Sequence, residues 1–419
     1  MAQTPSSAGT LGGLVEDLLG PDLPIGLRAY DGSRLGPEDA PATLVVRSPD
    51  ALRRIVTAPG ELGFARAWAA GDLDVEGDIF AALSIRDRLP VVSLSAAQWV
   101  RAARMLGSQG LRRLPPPPQE SRLRGRRHSK GRDAASIAHH YDVSDDFYRV
   151  VLGPSMTYSC AVWPRPEATL EEAQEAKYEL VCSKLGLEPG MRLLDVGCGW
   201  GGMVRHAAAH HGVEAVGVTT SRRQAEWAAK ATADAGQADH VDIRCTDYRD
   251  VIDGPYDAVS SIGMFEHVGL SHLQDYFTRL HGLLRPGGRL LNHGISRPAG
   301  ERARLARRSF VDRYIFPDGE LHEVGAVVSA VQRAGLEARH VESLREHYAL
   351  TLRAWVANLE GGWDDAVAAA DLGRARVWRL YMAGSALNFE SNRTSVHQVL
   401  AVRTEGDGDS RLPLRPGWG

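Results

Sequence analysis

A doubly wound α/β domain preceded by a small α+β domain is the fold class this sequence predicts, on three observations. The apolar run Leu193-Leu194-Asp195-Val196 empties into Gly197-Cys198-Gly199-Trp200-Gly201-Gly202, which reads as a buried strand entering a tight turn that opens a helix. Further strand patterns at 215–219, 256–262 and 289–293 alternate with helical segments, the arrangement of a parallel sheet that takes ligands at the carboxyl ends of its strands. Pro115 to Pro118 form an extended, semi-rigid run that marks a domain boundary, and 419 residues exceed what one ordinary core accommodates. The expected division is a small domain over 1–113, a proline-rich and basic linker over 114–133, and a large domain over 134–419.

In the small domain, Leu11 to Leu19 has helical apolar spacing and is expected to pack on its own domain. Segments 26–30 and 42–46 read as strands flanking a turn at Asp31-Gly32, and a helix is expected to begin near Ser48-Pro49. Leu62 to Ala70 reads as an apolar helix running into a glycine- and acid-rich turn through Asp72, Asp74, Glu76 and Asp78. Those acids alternate as calcium ligands do, but the rest of a twelve-residue loop is missing and a solvated turn is expected. After the prolines, Arg122, Arg124, Arg126, Arg127, Lys130 and Arg132 stand with no acid between Ser121 and Gly131. A solvated linker and a patch drawn to anionic lipid both account for them.

In the large domain, Thr169-Leu170-Glu171-Glu172 is a capping-box sequence, and Ala173, Ala176, Leu180, Val181 and Leu185 follow at helical spacing. Gly197, Gly199 and Gly202 satisfy the dinucleotide fingerprint G-x-G-x-x-G, yet a pyrophosphate there would meet the carboxylate of Asp195. A ligand carrying an ammonium and a sulfonium is attracted by the same carboxylate, so S-adenosylmethionine fits better than NAD. The strand ending Val218-Thr219-Thr220-Ser221 also lacks the acid that an NAD ribose requires, while Arg222 and Arg223 suit a 2′-phosphate and keep NADP as the runner-up. Thr219 and Gln224 are neutral groups suited to the ribose of S-adenosylmethionine. Asp247 and Tyr248, after a strand expected at 241–245, suit an adenine by hydrogen bond and stacking. Arg285-Pro286-Gly287-Gly288 is the expected turn before the strand at 289–293.

Composition narrows the classes further. At 43% apolar and 24% charged the chain is globular, and a net charge of −3 argues against dedicated nucleic-acid binding. Cys160, Cys182, Cys198 and Cys245 show neither metal nor disulfide spacing and suit a reducing cytoplasm. His139-His140 and His210-His211 have no third suitable ligand nearby in the sequence, so no metal site is expected. Met1 to Gly20 lacks the basic start and continuous apolar stretch of a signal peptide, and no stretch of about 18 uncharged apolar residues occurs anywhere.

Several segments together resemble the cyclopropane-fatty-acyl-phospholipid synthase and mycolic acid cyclopropane synthase family. They are His140-Tyr141-Asp142-Val143-Ser144 with the residues to Tyr148, Met156-Thr157-Tyr158-Ser159-Cys160, the run Leu194 to Gly201, and Ser261-Ile262-Gly263-Met264-Phe265-Glu266-His267-Val268-Gly269. Tyr314-Ile315-Phe316-Pro317, His347 to Leu352 and Val396-His397-Gln398 extend the likeness, and 1–113 is similar, less specifically, to the small amino-terminal domain of the phospholipid-acting members. The resemblance implies a Rossmann-like class I methyltransferase domain. It implies methyl transfer from S-adenosylmethionine to a cis double bond of an unsaturated acyl chain in a phospholipid, then proton loss and ring closure to a cyclopropane. It further implies a bicarbonate ion as base, held by Cys160, Glu266, His293, Tyr348 and the amide of Ile295, and cofactor contacts from Tyr158, Ser159, Gly197, Gly199, Thr219 and Gln224.

Each of these residues has a plain structural alternative: a small buried thiol for Cys160, a satisfied core histidine for His293, a helix cap for Glu266, ring packing for Tyr348. One departure stands out. Where the family commonly has Leu-His-Thr-Ile, this chain has Asn292-His293-Gly294-Ile295, and Gly294 is expected to loosen the backbone beside the proposed amide donor. Because some relatives stop after methyl transfer, a methylene- or methyl-branched acyl chain is the alternative product; a non-catalytic lipid-binding module is a further reading. The implied partner is an unsaturated phospholipid or fatty acyl substrate, met by peripheral contact at the cytoplasmic face of the membrane. A homodimer is the assembly considered, and no nucleic acid is expected.

Overall fold

The computed structural model describes residues 10–20, 22–85, 95–107, 112–121, 144–300, 309–317 and 319–418. The basic cluster from Arg122 to Arg132 and the pair His139-His140 lie outside the described residues. The chain forms two compact units, one drawn from Met1–Arg122, Ala306–Ile315 and Ala370–Leu387, the other from Leu123–Leu305, Phe316–Ala369 and Asn388–Gly419. The first unit thus takes in two segments from far along the chain, a long-range association that local sequence pattern does not carry.

In the first unit, α1 (Leu11–Leu19) is capped by Thr10, whose hydroxyl accepts the Gly13 amide at 3.2 Å. Strands β1 (Gly26–Ala29), β2 (Arg34–Leu35), β3 (Ala42–Val46) and β4 (Leu73–Gly77) form one sheet in the order β2-β1-β3-β4. The partner of β1 across the Asp31-Gly32 turn is the short β2, and β3 runs parallel to β1. Helix α2 (Pro49–Thr57) starts where expected, with Ser48 as its cap and Pro49 at its first position, and α3 (Glu61–Ala69) follows.

The acid-rich segment is a strand and not the expected solvated turn, because Leu73 and Val75 alternate into the core while the acids find partners on the other face. Asp72 accepts from Arg54 Nε and Ser48 Oγ, each at 2.8 Å, and Asp74 accepts from Arg47 at 2.7 Å and Arg376 at 3.0 Å. Glu76 pairs with Arg28, and Asp78 caps the helix α4 (Ile79–Ser84). Arg376 is 6% exposed. Its Nε donates to the Trp68 carbonyl at 2.9 Å and Nη2 to that of Leu73, while Trp68 Nε1 donates back to the Arg376 carbonyl at 2.7 Å. A guanidinium tolerates such burial only with its donors matched.

The second unit holds α5 (Asp145–Leu152), α6 (Leu170–Leu185), β5 (Arg192–Val196), α7 (Gly202–His211), β6 (Glu214–Thr219), α8 (Arg222–Asp234) and β7 (Val241–Cys245). It continues with β8 (Tyr256–Ile262), α9 (Leu273–Leu283), β9 (Leu284–Ser296), α10 (Val324–Arg333), β10 (Glu337–Ser343), α11 (Arg345–Gly361) and β11 (Ser395–Val402). These strands make one seven-stranded sheet in the order β10-β11-β9-β8-β5-β6-β7. From β7 to β9 all pairs are parallel; β11 lies antiparallel to β9, and β10 antiparallel to β11. This is the doubly wound sheet expected.

Its central strands are apolar on both faces, as helices on both sides require. Leu194, Val196, Val216 and Val259 pack with Phe277 and Leu280 of α9, whereas Leu193, Ala215 and Ala258 pack with Val181 and Leu185 of α6 and Val204 of α7. The capping box at α6 forms: Thr169 Oγ1 accepts the Glu172 amide at 3.2 Å and Glu172 Oε2 accepts the Thr169 amide at 2.7 Å. Two features differ from expectation. Leu284 already pairs with Tyr256, so Arg285 to Gly288 lies within β9, at a shift of register, and not before it. No strand was expected beyond His293, yet β10 and β11 complete the sheet; β10 is half-exposed and lacks the apolar run that marks the central strands.

Replacing Arg376 with methionine removes the guanidinium that joins Trp68, Leu73 and Asp74. The expected loss is roughly 3 kcal/mol, as for breaking a buried pair, measured as a lower denaturant midpoint for the full-length chain; an unchanged midpoint would show that these bonds add nothing to the fold.

Candidate active site

At the end of β5 the chain turns through Gly197 (φ +83°), Gly199 (φ +53°) and Gly201 (φ +77°), conformations that side-chain-bearing residues adopt only with strain. At Gly202 a Cβ would overlap the Tyr178 hydroxyl, so α7 begins hard against α6. The turn opens onto a cavity, and the nine residues expected to contact the cofactor, Tyr158, Ser159, Asp195, Gly197, Gly199, Thr219, Gln224, Asp247 and Tyr248, all line it.

Asp195 is 3% exposed and accepts the Ser260 hydroxyl at 2.6 Å. Burial pushes its carboxyl up to about 6, against the opposing effects of Ser260 and the Lys177 cation. It remains mostly ionised at neutral pH, in surroundings where a charge acts over longer range than in water. Thr219 Oγ1 donates to Gln224 Oε1 at 3.1 Å. Asp247 accepts from the Arg249 amide at 2.9 Å, from its Nε at 2.8 Å and from its Nη2 at 2.6 Å, and the Tyr248 ring meets Tyr276 edge-on at 5.3 Å. Arg223, one of the two guanidiniums available for a 2′-phosphate, is paired with Asp145 at 3.0 Å.

Lys177 is the site residue that the sequence reading missed. It is 1% exposed and lines the same cavity. Its ammonium lies 3.3 Å from Ser159 Oγ and 3.8 Å from the centre of the Tyr178 ring. Burial lowers its pKa to about 7, with Asp195 and then Cys160 pulling the other way. A signal was present: Lys177 falls between Ala173 and Val181 in the i, i+4, i+8 series of the buried face of α6, where a lysine is out of place.

A second group of buried polar atoms lies where β8 and β9 end. Glu266, in the short turn after β8, accepts the Ile295 amide on Oε1 at 2.7 Å, while its Oε2 is buried without a hydrogen-bond partner among the described residues. The Ile295 amide, expected to face an anion, is thus engaged in orienting Glu266. Burial raises the Glu266 carboxyl to about 7. His293 is 2% exposed, with Nδ1 3.3 Å from Gln398 Nε2 and with Nε2 without a hydrogen-bond partner among the described residues. Lys184 donates to Gln398 Oε1 at 2.6 Å, which leaves the Gln398 NH2 to donate to Nδ1 and places the imidazole hydrogen on Nε2. Burial, then the Lys177 and Lys184 cations, lowers His293 to about 3, so the ring stays neutral.

Cys160 is buried, its thiol 3.2 Å from the Ala161 carbonyl and 3.7 Å from that of Leu344. The Leu344 carbonyl also accepts the Tyr348 amide at 3.1 Å, and the Tyr348 ring lies 4.6 Å from Phe389. Cys160 and His293 share the field of Lys177. Gly294 does not loosen this region. A Cβ there would overlap the Phe265 ring, so the glycine is the space into which Phe265, 2% exposed, packs beside Glu266.

Residues 128–399 match the family described as mycolic acid cyclopropane synthetase. The chain belongs to the mycolic acid cyclopropane synthetase family. A Mycobacterium tuberculosis protein named "Probable fatty acid methyltransferase" is 50% identical to this family member over 406 residues, covering 94% of this chain and 95% of that protein. A tuberculostearic acid methyltransferase of the same organism is 34% identical over 403 residues, covering 91% and 88%. Among solved structures, mycolic acid cyclopropane synthase complexed with S-adenosylhomocysteine and CTAB superposes with a TM-score of 0.60 at 34% identity, covering 64% of this chain and 97% of that one. This family member is an S-adenosylmethionine-dependent methyltransferase. Among the described residues, no helix is long and apolar enough to cross a membrane.

The Glu266 carboxyl, raised from 4.5 to about 7 in the folded chain, favours folding fully below about pH 4.5 and loses that contribution as pH rises through about 7. Glu266→Gln keeps an acceptor for Ile295. The variant is therefore expected to gain stability relative to the parent between about pH 5 and about pH 8, by on the order of 1 to 3 kcal/mol. Denaturation midpoints across that range test this, and a pH-independent difference would show that the carboxyl is not raised. Gly294→Thr is expected to cost about 1 to 3 kcal/mol by overpacking against Phe265, and adding Phe265→Leu should recover part of the loss in the same assay.

Proposed function

We propose that this methyltransferase acts on a cis double bond in an unsaturated fatty acyl chain carried by a phospholipid, and closes the product to a cyclopropane. The observation that carries the reading is the pair of buried atoms Glu266 Oε2 and His293 Nε2, without hydrogen-bond partners among the described residues, at the ends of the two strands that continue the sheet from β5 at the cavity.

S-Adenosylmethionine, when bound, supplies an electrophilic methyl group on a sulfonium. An alkene has no proton whose removal would activate it, so alignment in a shaped, dry cavity is the main contribution open to the chain. With that donor bound, the alkene π pair would form the new C–C bond as the S–C bond broke, its bonding pair staying on sulfur, and the neighbouring substrate carbon would be left cationic. Asp195 offsets positive charge on the donor side. Tyr158, which lines the cavity and stacks on Trp355 at 5.2 Å, presents a π face to the cation.

Ring closure then requires a proton to leave the transferred methyl as that C–H pair bonds to the cationic carbon. Glu266, titrating near neutrality, holds or releases a proton at Oε2, and His293 donates a hydrogen bond through Nε2. This donor and acceptor set fits a bicarbonate ion, with Cys160 and Tyr348 as its further contacts, and bicarbonate bound there would supply the base.

A second reading is methyl transfer without closure, and the names of the two relatives aligned over nearly the whole chain favour it. A hydride shift followed by proton loss then gives a methylene-branched chain of the same mass. The lipid is proposed to be met at an anionic membrane surface through the basic cluster from Arg122 to Arg132.

Expression in a host rich in cis-unsaturated phospholipids is expected to add one CH2 per modified acyl chain, with new cyclopropane proton signals at high field and loss of alkene signals by NMR. Exomethylene signals in their place would establish the second reading. No mass gain from folded protein that binds S-adenosylhomocysteine would overturn both. Glu266→Gln is expected to retain S-adenosylhomocysteine binding while turnover drops roughly 10²- to 10⁴-fold.

A further inference from the structure

We propose that Glu179 and Cys182 of α6 with His206 and His211 of α7 form a zinc site, separate from the residues of methyl transfer. The ligand atoms of Cys182, His206 and His211 all lie within 4.8 Å of one another, the one such cluster among the described residues. Glu179 Oε2 lies beside that cluster, 3.0 Å from His211 Nε2 and 3.5 Å from His206 Nε2, and is the carboxylate that would move in to complete a fourth position. Glu179 and Cys182 are one turn apart on the same face of α6, and both histidines lie in the last turns of α7, which packs on it. The sequence reading set His210-His211 aside for want of a third ligand; the fold joins His211 not to His210 but to His206 of the same helix and Cys182 of α6.

The ligand types point to zinc. One thiolate, two neutral imidazoles and a carboxylate suit a borderline-soft ion in tetrahedral geometry, with bonds of about 2.0 to 2.3 Å. Gathering the atoms from their present spread requires shifts on the order of 1 Å, within reach of side-chain rotation. Exposure is graded as an entry path requires: Cys182 is 0% exposed at the floor, the side chains of His206 and His211 are 9% and 18% exposed, and that of Glu179, at the mouth, is 52% exposed. The bound ion would tie α6 to α7. Because α6 carries Lys177 and Tyr178 into the cofactor cavity, and α7 begins at the glycine turn, the tie would brace two walls of that cavity. Metal binding itself is independent of what the methyl group is transferred to.

The test uses the full-length chain without an affinity tag, stripped with a chelator. Titration with zinc against a chromophoric indicator is expected to show one equivalent bound at submicromolar Kd, with a higher Tm. Cobalt(II) as a probe is expected to give tetrahedral visible bands and a near-ultraviolet thiolate-to-cobalt band. Cys182→Ser should remove the thiolate band, and His211→Gln, at the accessible rim, should weaken zinc binding at least 100-fold while S-adenosylhomocysteine still binds. Substoichiometric zinc uptake by the parent, or uptake unchanged in both variants, would overturn the assignment.

Discussion

An ammonium buried at the carboxyl edge of a parallel sheet, that of Lys177, is the constraint on which the site depends. Taking such a charge out of water costs several kcal/mol unless its surroundings answer it. Here the answers come from the Ser159 hydroxyl, the face of Tyr178 and the charge of Asp195. In its protonated form the same amine acts back on its neighbours, lowering the pKa of both Asp195 and His293. The protonation states of the cofactor side and of the base side are therefore not independent. A cofactor that carries a carboxylate, an ammonium and a sulfonium meets both signs of charge in one cavity.

The α6 helix transmits this arrangement. Consecutive residues of a helix point about 100° apart, so the stretch from Lys177 to Cys182 serves two neighbourhoods at once. Lys177 and Tyr178 face the cofactor cavity, while Glu179 and Cys182 face the histidines of α7. The glycine at the start of α7 allows the close approach, since any side chain at Gly202 would displace the Tyr178 hydroxyl. On the other side of β5, the chain reaches the base side through tight packing of a different kind: Gly294 yields its space to Phe265, and the Ile295 amide one residue on fixes the adjoining Glu266.

The first unit follows the same rule with a guanidinium. Arg376 comes from a segment some three hundred residues away from the strand it joins, and it is admitted to the interior because Trp68, Leu73 and Asp74 supply acceptors in the right places. Asp74 consequently sits below the usual carboxylate range: burial raises its carboxyl, but the Arg376 and Arg47 hydrogen bonds lower it by more. An acidic stretch that looks solvated in one dimension becomes a strand whose acids are paired.

What this sequence determined alone was whatever depends on neighbours along the chain. The glycine turn after β5, the Thr169 capping box and the alternation of buried strands with helices follow from backbone freedom, end-group hydrogen bonds and periodicity; the cofactor-side residues read at those strand ends line one cavity, together with Tyr158 and Ser159, which the family resemblance supplied. Tertiary structure decided what depends on residues far apart in the chain. It paired the Ile295 amide with Glu266, set the tautomer of His293 through Gln398 and Lys184, buried Lys177, added β10 and β11 to the sheet, and gathered a thiol and two imidazoles from separate helices. The physical reason is that a polar group's partner is chosen by where folding places the nearest compatible atom, and sequence spacing carries no record of that distance.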